Sequence, residues 1–308
     1  MQKRLSPKYT DIIHRRDYIA PTQARVTIFT SRMRFPIKLN QNYWPKWLCR
    51  LFPSMQDPAS LIDLKTTGSE FTSAVSVFKF GSTFKTTKQS RFPLTIKALQ
   101  DIDLASDSII LDVGASDGVA SLDAIRLLKY SQYFVTDLNT NVGHIFDEKK
   151  HYFFDSNDNC ILISSARFIW YNEAENAIWP FNQLANKAFT AAPVCQQSTC
   201  NYVSLFNPEI NNCPGVTVQN HNLFKPWNGP KPGLVIAANI LNRSYFHDNE
   251  LKAAIDQLIK NLAGDGYIVI IDSRELERSS LFSVSAEKVE LIQSINGGAE
   301  TQSLVIAR

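Results

Sequence analysis

The sequence predicts an α/β chain built on a doubly wound, largely parallel sheet. Three stretches predict it. In the first, the apolar run Ile109-Ile110-Leu111 ends at Asp112, a small-residue turn follows from Gly114 to Gly118, and Val119–Tyr130 has helical spacing with Leu122, Ile125, Leu127 and Leu128 apolar. In the second, Tyr133-Phe134-Val135-Thr136-Asp137 is a short strand ending in an acid. In the third, Asp248-Asn249-Glu250 starts a helix with acids in its first turn, and Leu251, Ile255, Leu258, Ile259 and Leu262 fall on one face. Gly264-Asp265-Gly266 ends that helix, and Tyr267–Asp272 is an apolar strand of the kind buried on both faces.

A strand, a glycine turn and a helix N-terminus make a ligand site at the carboxyl edge of such a sheet. Two chemistries can use it here. The turn can cradle a nucleoside cofactor, or it can display Ser116 as a nucleophile, because Gly114-Ala115-Ser116-Asp117-Gly118 satisfies G-x-S-x-G. Asp137 lies 23 residues after Gly114, a distance that suits an acid binding ribose hydroxyls. A hydrolase needs a histidine after its acid in chain order, normally on a late loop. The five histidines are His14, His144, His151, His221 and His247, so only His247 remains a formal candidate, with none in the last 61 residues. The cofactor reading is the one these residues favour.

The turn lacks the spacing of a nicotinamide fingerprint. Asp112-x-Gly114-x-x-x-Gly118 followed by Asp137 instead resembles motifs I and II of class I S-adenosylmethionine-dependent methyltransferases, with Ser116 where that family usually has a middle glycine. Val216-Thr217-Val218 leading to Asn222-Leu223-Phe224 resembles the third motif, with Asn222 in place of the usual Asp. Leu234–Phe246, a buried strand running into an Asn-bearing loop, resembles the fourth. The resemblance covers about residues 105–308. It implies a Rossmann-like sheet of about seven strands and S-adenosyl-L-methionine as cofactor. It implies further that Asp112, Gly114, Ala115, Ser116 and Gly118 hold the methionine part. Asp137, with Leu138 beside it, would hold the ribose, Asn222 and Leu223 would flank the adenine, and Asn239 and Ile240 would bound the site beside the sulfonium. The implied function is methyl transfer to a small-molecule or carboxylate/hydroxyl acceptor. Asn239 lacks the Pro-Pro-Tyr/Trp context of base N-methylation. Any general base is sought among His221, Tyr245 and His247, since one is needed only if the acceptor must lose a proton. Two alternatives stay open: a nucleic-acid methyltransferase, and a non-catalytic binding or assembly protein on the same fold.

Charge divides the chain. Residues 1–100 hold 17 Lys and Arg against 5 Asp and Glu; residues 101–308 hold 15 against 24. The domain expectation follows: a basic N-terminal extension or cap over 1–100, and the methyltransferase-like domain over 101–308. The basic part calls for an anionic partner or membrane surface, or docks on the acidic remainder. Arg25–Thr30 is a weak strand candidate. Residues 43–52 form a short basic amphipathic helix in which Trp44, Trp47, Leu48 and Leu51 share a face, while 76–97 read as an extended segment or lid. Residues 145–215 exceed a βα unit by about 40 residues. That insertion contains an aromatic hairpin over 152–163, a strand over 166–171 and a helix after Trp179; it shapes an acceptor pocket or a homodimer interface. With no 18-residue apolar run and no secretory signal, a cytoplasmic protein, at most peripheral to a membrane, is expected. Five reduced cysteines are expected with it. Cys195, Cys200, Cys213 and His221 are too loosely spaced for a zinc site, and no metal is expected.

Overall fold

The computed structural model describes residues 36–308 except 64–65, 81–82, 86, 173–178, 197–198, 274–275, 286–287 and 307–308. The strand candidate at 25–30 lies outside the described residues. In chain order the elements are β1 (Ile37–Asn40), α1 (Lys46–Leu51), β2 (Ser54–Met55), α2 (Gly68–Val75), β3 (Lys79–Phe80), β4 (Thr83–Phe84) and α3 (Pro93–Gln100). Then come β5 (Ile109–Val113), α4 (Ser121–Leu127), β6 (Gln132–Asp137), β7 (Asn141–Asp147), β8 (Lys150–Phe154), β9 (Cys160–Ser165), β10 (Phe168–Tyr171), α5 (Phe181–Thr190) and β11 (Asn201–Ser204). The chain closes with β12 (Val216–Asn220), β13 (Leu234–Ala238), α6 (Asp248–Asn261), β14 (Gly266–Ser273), β15 (Glu277–Val284), β16 (Val289–Ile295) and α7 (Gln302–Ile306). Short 3-10 helices cover Pro58–Ile62 and Pro208–Asn212.

The chain divides into two compact units, and the division falls differently from a cut near residue 100. One unit joins the segment up to Thr86 with Asn141–Leu205; the other joins Thr87–Thr140 with Phe206–Arg308. In the first, a seven-stranded sheet runs β11-β7-β8-β9-β10-β1-β2. The insertion supplies the middle strands. The N-terminal segment completes an edge through the antiparallel pairing of Ile37 with Trp170 and the parallel pairing of Leu39 with Ser54. Its core gathers Phe71, Phe78, Phe84, Phe153, Ile169 and Tyr171. The hairpin forecast over 152–163 is β8 and β9, and its turn is drawn tight by Asp155, whose Oδ1 accepts from the amides of Asn157 and Asn159. The helix forecast after Trp179 is α5. Cys195 and Cys200 form a disulfide with Cα atoms 5.5 Å apart, buried against Tyr152, Phe154 and Ile163. Two of the five cysteines are therefore a cystine, which corrects the expectation of five thiols. No group of three or more His, Cys, Asp or Glu among the described residues could hold a metal ion. No helix among them is long and apolar enough to cross a membrane.

Diagonal neighbours on β7 and β8 place two imidazoles together. His144 Nε2 and His151 Nδ1 lie 3.0 Å apart, and the rings stack at 5.3 Å. Burial, and then the neighbouring His151, push His144 down to about 4, while burial lowers His151 against the pull of Asp57. The folded unit thus favours neutral rings, whereas an unfolded chain takes up protons near pH 6.5. Stability is fully present above that pH and falls as pH drops toward 4, by on the order of 2–3 kcal/mol. Hydrogen exchange of the β7 and β8 amides across this range checks it; His144→Gln should remove most of the acid sensitivity.

The second unit is the doubly wound sheet. Its strand order is β12-β6-β5-β13-β14-β15-β16. The first five strands are parallel, and β15 and β16 close it as an antiparallel meander. Seven strands are present, as the resemblance implied. Alternate residues bury in opposite layers, because successive strand side chains point to opposite faces. Leu111, Val113, Val235, Ala237, Ile268 and Ile270 meet α6 and α7 on one face. Ile110, Leu234, Ile236, Val269 and Ile271 meet α3 and α4 on the other. The crossover from β6 to β12 carries no α-helix within this unit; the 3-10 helix at Pro208–Asn212 stands in its place and sends the fully buried Ile210 into the second layer.

Candidate functional site

Strand order reverses between β5 and β13: β5 leads outward through β6 to β12, and β13 leads outward through β14. Ligands of doubly wound sheets bind outside the carboxyl ends of the strands at this point. The Gly114–Gly118 turn follows β5, and Asn239–Ile240 follows β13, so the two flank the reversal. They touch. A Cβ placed on Gly114 would stand 2.9 Å from Ile240 Cγ1, and Gly114 has φ +68°. A side chain at residue 114 would have to displace Ile240.

Asp137, at the end of β6, fastens the turn from the neighbouring strand. Its Oδ2 accepts from the Ser116 amide at 2.9 Å, its Oδ1 from the Asn139 amide at 2.9 Å, and its carbonyl from the His221 amide at 3.0 Å. Ala115 N donates to the Thr136 carbonyl at 2.9 Å. Asn220 donates its side-chain amide to the carbonyl of Leu138, an exposed residue. Asp137 thus ties the turn after β5 to the end of β6 through its half-buried carboxylate, and holds the end of β12 through its backbone carbonyl.

Ser116 has φ +60°. The backbone here is left-handed, so Ser116 occupies a conformation that favours glycine, and its amide is held there by the hydrogen bond to Asp137. His247, the one histidine late enough for a hydrolase, is the exposed N-cap of α6, its amide donating to Glu250 Oε2 at 2.8 Å.

Asp112 faces the second layer and is nearly sealed from water. Ser121 Oγ at 2.7 Å and Tyr133 OH at 3.0 Å both donate to its Oδ2. Burial pushes its carboxyl up to about 6 despite these bonds, and the same environment raises the Tyr133 phenol. In this structure Asp112 locks α4 and β6 onto β5. Gly118 is buried at φ +75°, and a Cβ there would run into Ile210.

The two asparagines shape their loops. Asn222 Oδ1 accepts from the Phe224 amide at 3.0 Å, a side-chain turn that ends β12. Asn239 sits at φ +57°, its Oδ1 accepting from the Ser273 amide at 2.7 Å, and Asn242 donates to its carbonyl at 2.9 Å. Leu223 is buried with Phe134 and Trp227. His221 packs its ring edge-on against Trp227 at 5.2 Å. Its Nε2 is buried with no hydrogen-bond partner, and burial lowers its pKa, which favours the neutral imidazole. Phe224 meets Phe246 at 5.2 Å, and Tyr245 meets Phe246 at 6.3 Å. This half-buried aromatic group joins the β12 and β13 loops. Its only sequence signal is that both loops place aromatics directly after the motif residues.

No protein-family model matches the chain, and no curated protein matches it. Solved structures do. The CMeT domain of the citrinin polyketide synthase is 13% identical at a TM-score of 0.28, covering 56% of this chain and 31% of that one. An O-methyltransferase family protein from Burkholderia thailandensis is 11% identical at 0.30, covering 57% and 36%. The N-methyltransferase NodS from Bradyrhizobium japonicum, solved with S-adenosyl-L-homocysteine, is 11% identical at 0.30, covering 60% and 63%. The chain spans less than two thirds of each of these proteins. At such scores the likeness assigns no residue a role, and the class of the sheet rests on its own strand order and direction.

Proposed function

We propose that this chain binds S-adenosyl-L-methionine at the carboxyl edge of its doubly wound sheet and transfers the methyl group to a small-molecule acceptor bearing a carboxylate or hydroxyl. The observation that carries the reading is the pairing of the glycine turn after β5 with the carboxylate of Asp137 after β6, beside the strand reversal. The residues fit the cofactor. Gly114 and Ser116 carry the turn through left-handed backbone, which sets it close against Ile240 at the carboxyl edge. A carboxylate offers about four acceptor sites, a donor-receiving group of the kind a ribose diol needs. The unpartnered Nε2 of His221 lies at the same edge.

The cofactor supplies an electrophilic methyl on a sulfonium, and the protein's part is alignment, which contributes much of the acceleration in a displacement of this type. Asp137 holds the ribose end, with Leu138 alongside. Leu223 offers an apolar wall and Asn222 a polar edge for the adenine. The turn residues Gly114, Ala115, Ser116 and Gly118 shape the opposite end, with Asp112 fixing their strand from beneath, and Asn239 and Ile240 bound the transfer position. Where the acceptor must lose a proton, His221, whose burial favours the neutral imidazole, is a candidate to receive it, with Tyr245 and His247 on the neighbouring loop.

Calorimetric titration with S-adenosyl-L-homocysteine tests this. Saturable binding at one site is expected, and ligand at about a hundred times its Kd should add about 2.7 kcal/mol of apparent stability to the second unit. Neither heat nor stabilisation would leave the non-catalytic assembly reading in its place.

A further inference from the structure

The first unit carries an exposed apolar surface outside the residues of the proposed site. Between β1 and β2, which pair side by side in parallel, the chain makes an excursion over residues 41–53 containing α1. Four large apolar side chains stand out of it: Tyr43 is 48% exposed, Trp47 62%, Leu51 54% and Phe52 55%. Scattered exposed hydrophobics are ordinary, but four within ten residues form a patch that calls for a partner. Trp47 and Leu51 are four residues apart and so share one face of α1.

The excursion is anchored so that this face points outward. Cys49 is buried on the opposite side of α1. Ser54 Oγ donates to the Cys49 carbonyl at 2.9 Å. Trp44, expected to share a face with Trp47 and Leu51, is turned inward instead: its Nε1 donates to the Arg167 carbonyl at 2.8 Å, and its ring meets Phe168 at 6.0 Å. Leu48 is likewise half-buried. Arg167 in turn donates to the Tyr43 hydroxyl at 3.1 Å and lies over its ring at 5.2 Å.

The charges within this stretch of chain are of one sign. Residues 36–56 contain Lys38, Lys46 and Arg50 and no acid, and Arg167 adjoins through Tyr43. A protein-facing apolar patch loses its charged neighbours toward the centre, whereas tryptophan and tyrosine set among lysine and arginine match the headgroup boundary of an anionic bilayer. We infer that the Tyr43–Phe52 excursion is a membrane-docking surface that inserts Trp47, Leu51 and Phe52 into the interface of anionic lipid vesicles, with Lys46 and Arg50 on the headgroups.

The test is sedimentation of the full chain with vesicles of phosphatidylcholine, with and without phosphatidylserine. Expected are selective recovery with the anionic vesicles, weakening with salt, and about a tenfold or greater loss of partitioning in Trp47→Ala/Leu51→Ala. Both side chains are exposed, so the variant should keep the far-ultraviolet circular dichroism of the parent. Lys46→Glu/Arg50→Glu should also lose partitioning. Failure of the parent chain to sediment with anionic vesicles overturns the inference. So does unchanged partitioning of the Trp47→Ala/Leu51→Ala variant, which would move the binding to the cations of residues 1–35. Analytical ultracentrifugation showing a dimer that Trp47→Ala dissociates, without vesicle binding, would give the patch to a second copy of the chain.

Discussion

Gly118→Val is expected to destabilise the doubly wound unit by about 3–5 kcal/mol. Two costs combine. Gly118 sits at φ +75°, where a Cβ-bearing residue is strained by about 1–2 kcal/mol and a β-branched one more. Any Cβ there also collides with Ile210 and lies 3.3 Å from Val135 Cγ1, and overpacking a dense core costs about 1–3 kcal/mol. Hydrogen exchange of the β5, β6 and β12 amides reports on this unit specifically, which matters because a chain of two units need not unfold in one step. The collision has a named partner, so it has a named rescue: Ile210→Ala in the same chain should make the double variant less destabilised than the sum of the singles by more than about 1 kcal/mol. Additive losses would mean that the turn does not depend on Ile210. Ser116→Gly carries the opposite sign. Its φ of +60° already suits glycine, so relief of strain offsets the added freedom of the unfolded chain, and stability should stay level or rise by up to about 1 kcal/mol.

What could be read from the chain beforehand follows the range of the interactions involved. β5, β13 and β14 are mostly apolar because both faces are covered, and α6 carries its own start signal and apolar stripe; each is specified within its own residues. The acid at the end of β6 was likewise legible, since one strand ends and the next residue type is informative. The sheet of the first unit was not. Ile37 pairs with Trp170, and no local periodicity reports a partner more than a hundred residues away. The N-terminal segment and the insertion therefore read as separate additions, although they complete one sheet. The β15–β16 meander was missed because its strands mix serines and charges with apolar residues, and β16 is an edge with most of its side chains exposed. Within the site, residue identity was easier to read than residue engagement. Asp112, Asn222 and Asn239 all lie where the motifs put them, yet the carboxylate of Asp112 is committed to Ser121 and Tyr133, and both asparagines accept from backbone amides. A short polar side chain at a loop can hold a ligand or hold the loop, and only coordinates distinguish the two.

Asp137→Ala is expected to weaken S-adenosyl-L-homocysteine binding by about a hundredfold or more. Hydrogen bonds to a charged acceptor contribute about 1.5–3 kcal/mol each, and a ribose diol offers two donors. The substitution also strands the amides of Ser116 and Asn139, so the turn loosens before any ligand arrives. These two effects separate experimentally. Asp137→Asn keeps an acceptor for one of the amides but loses the charge, so exchange at Ser116 should be protected better than in the alanine variant while affinity stays low. If instead Asp137→Asn bound as tightly as the parent, the carboxylate would be a latch for the turn and nothing more. If Asp137→Ala bound normally, the ligand would lie elsewhere on the sheet and the proposed site would be wrong. Ser116→Gly closes the comparison: it retains both the backbone amide and the carboxylate that receives it, so its affinity should match the parent within about threefold, and a collapse of activity with binding intact would return Ser116 to the role of nucleophile that its G-x-S-x-G setting first allowed.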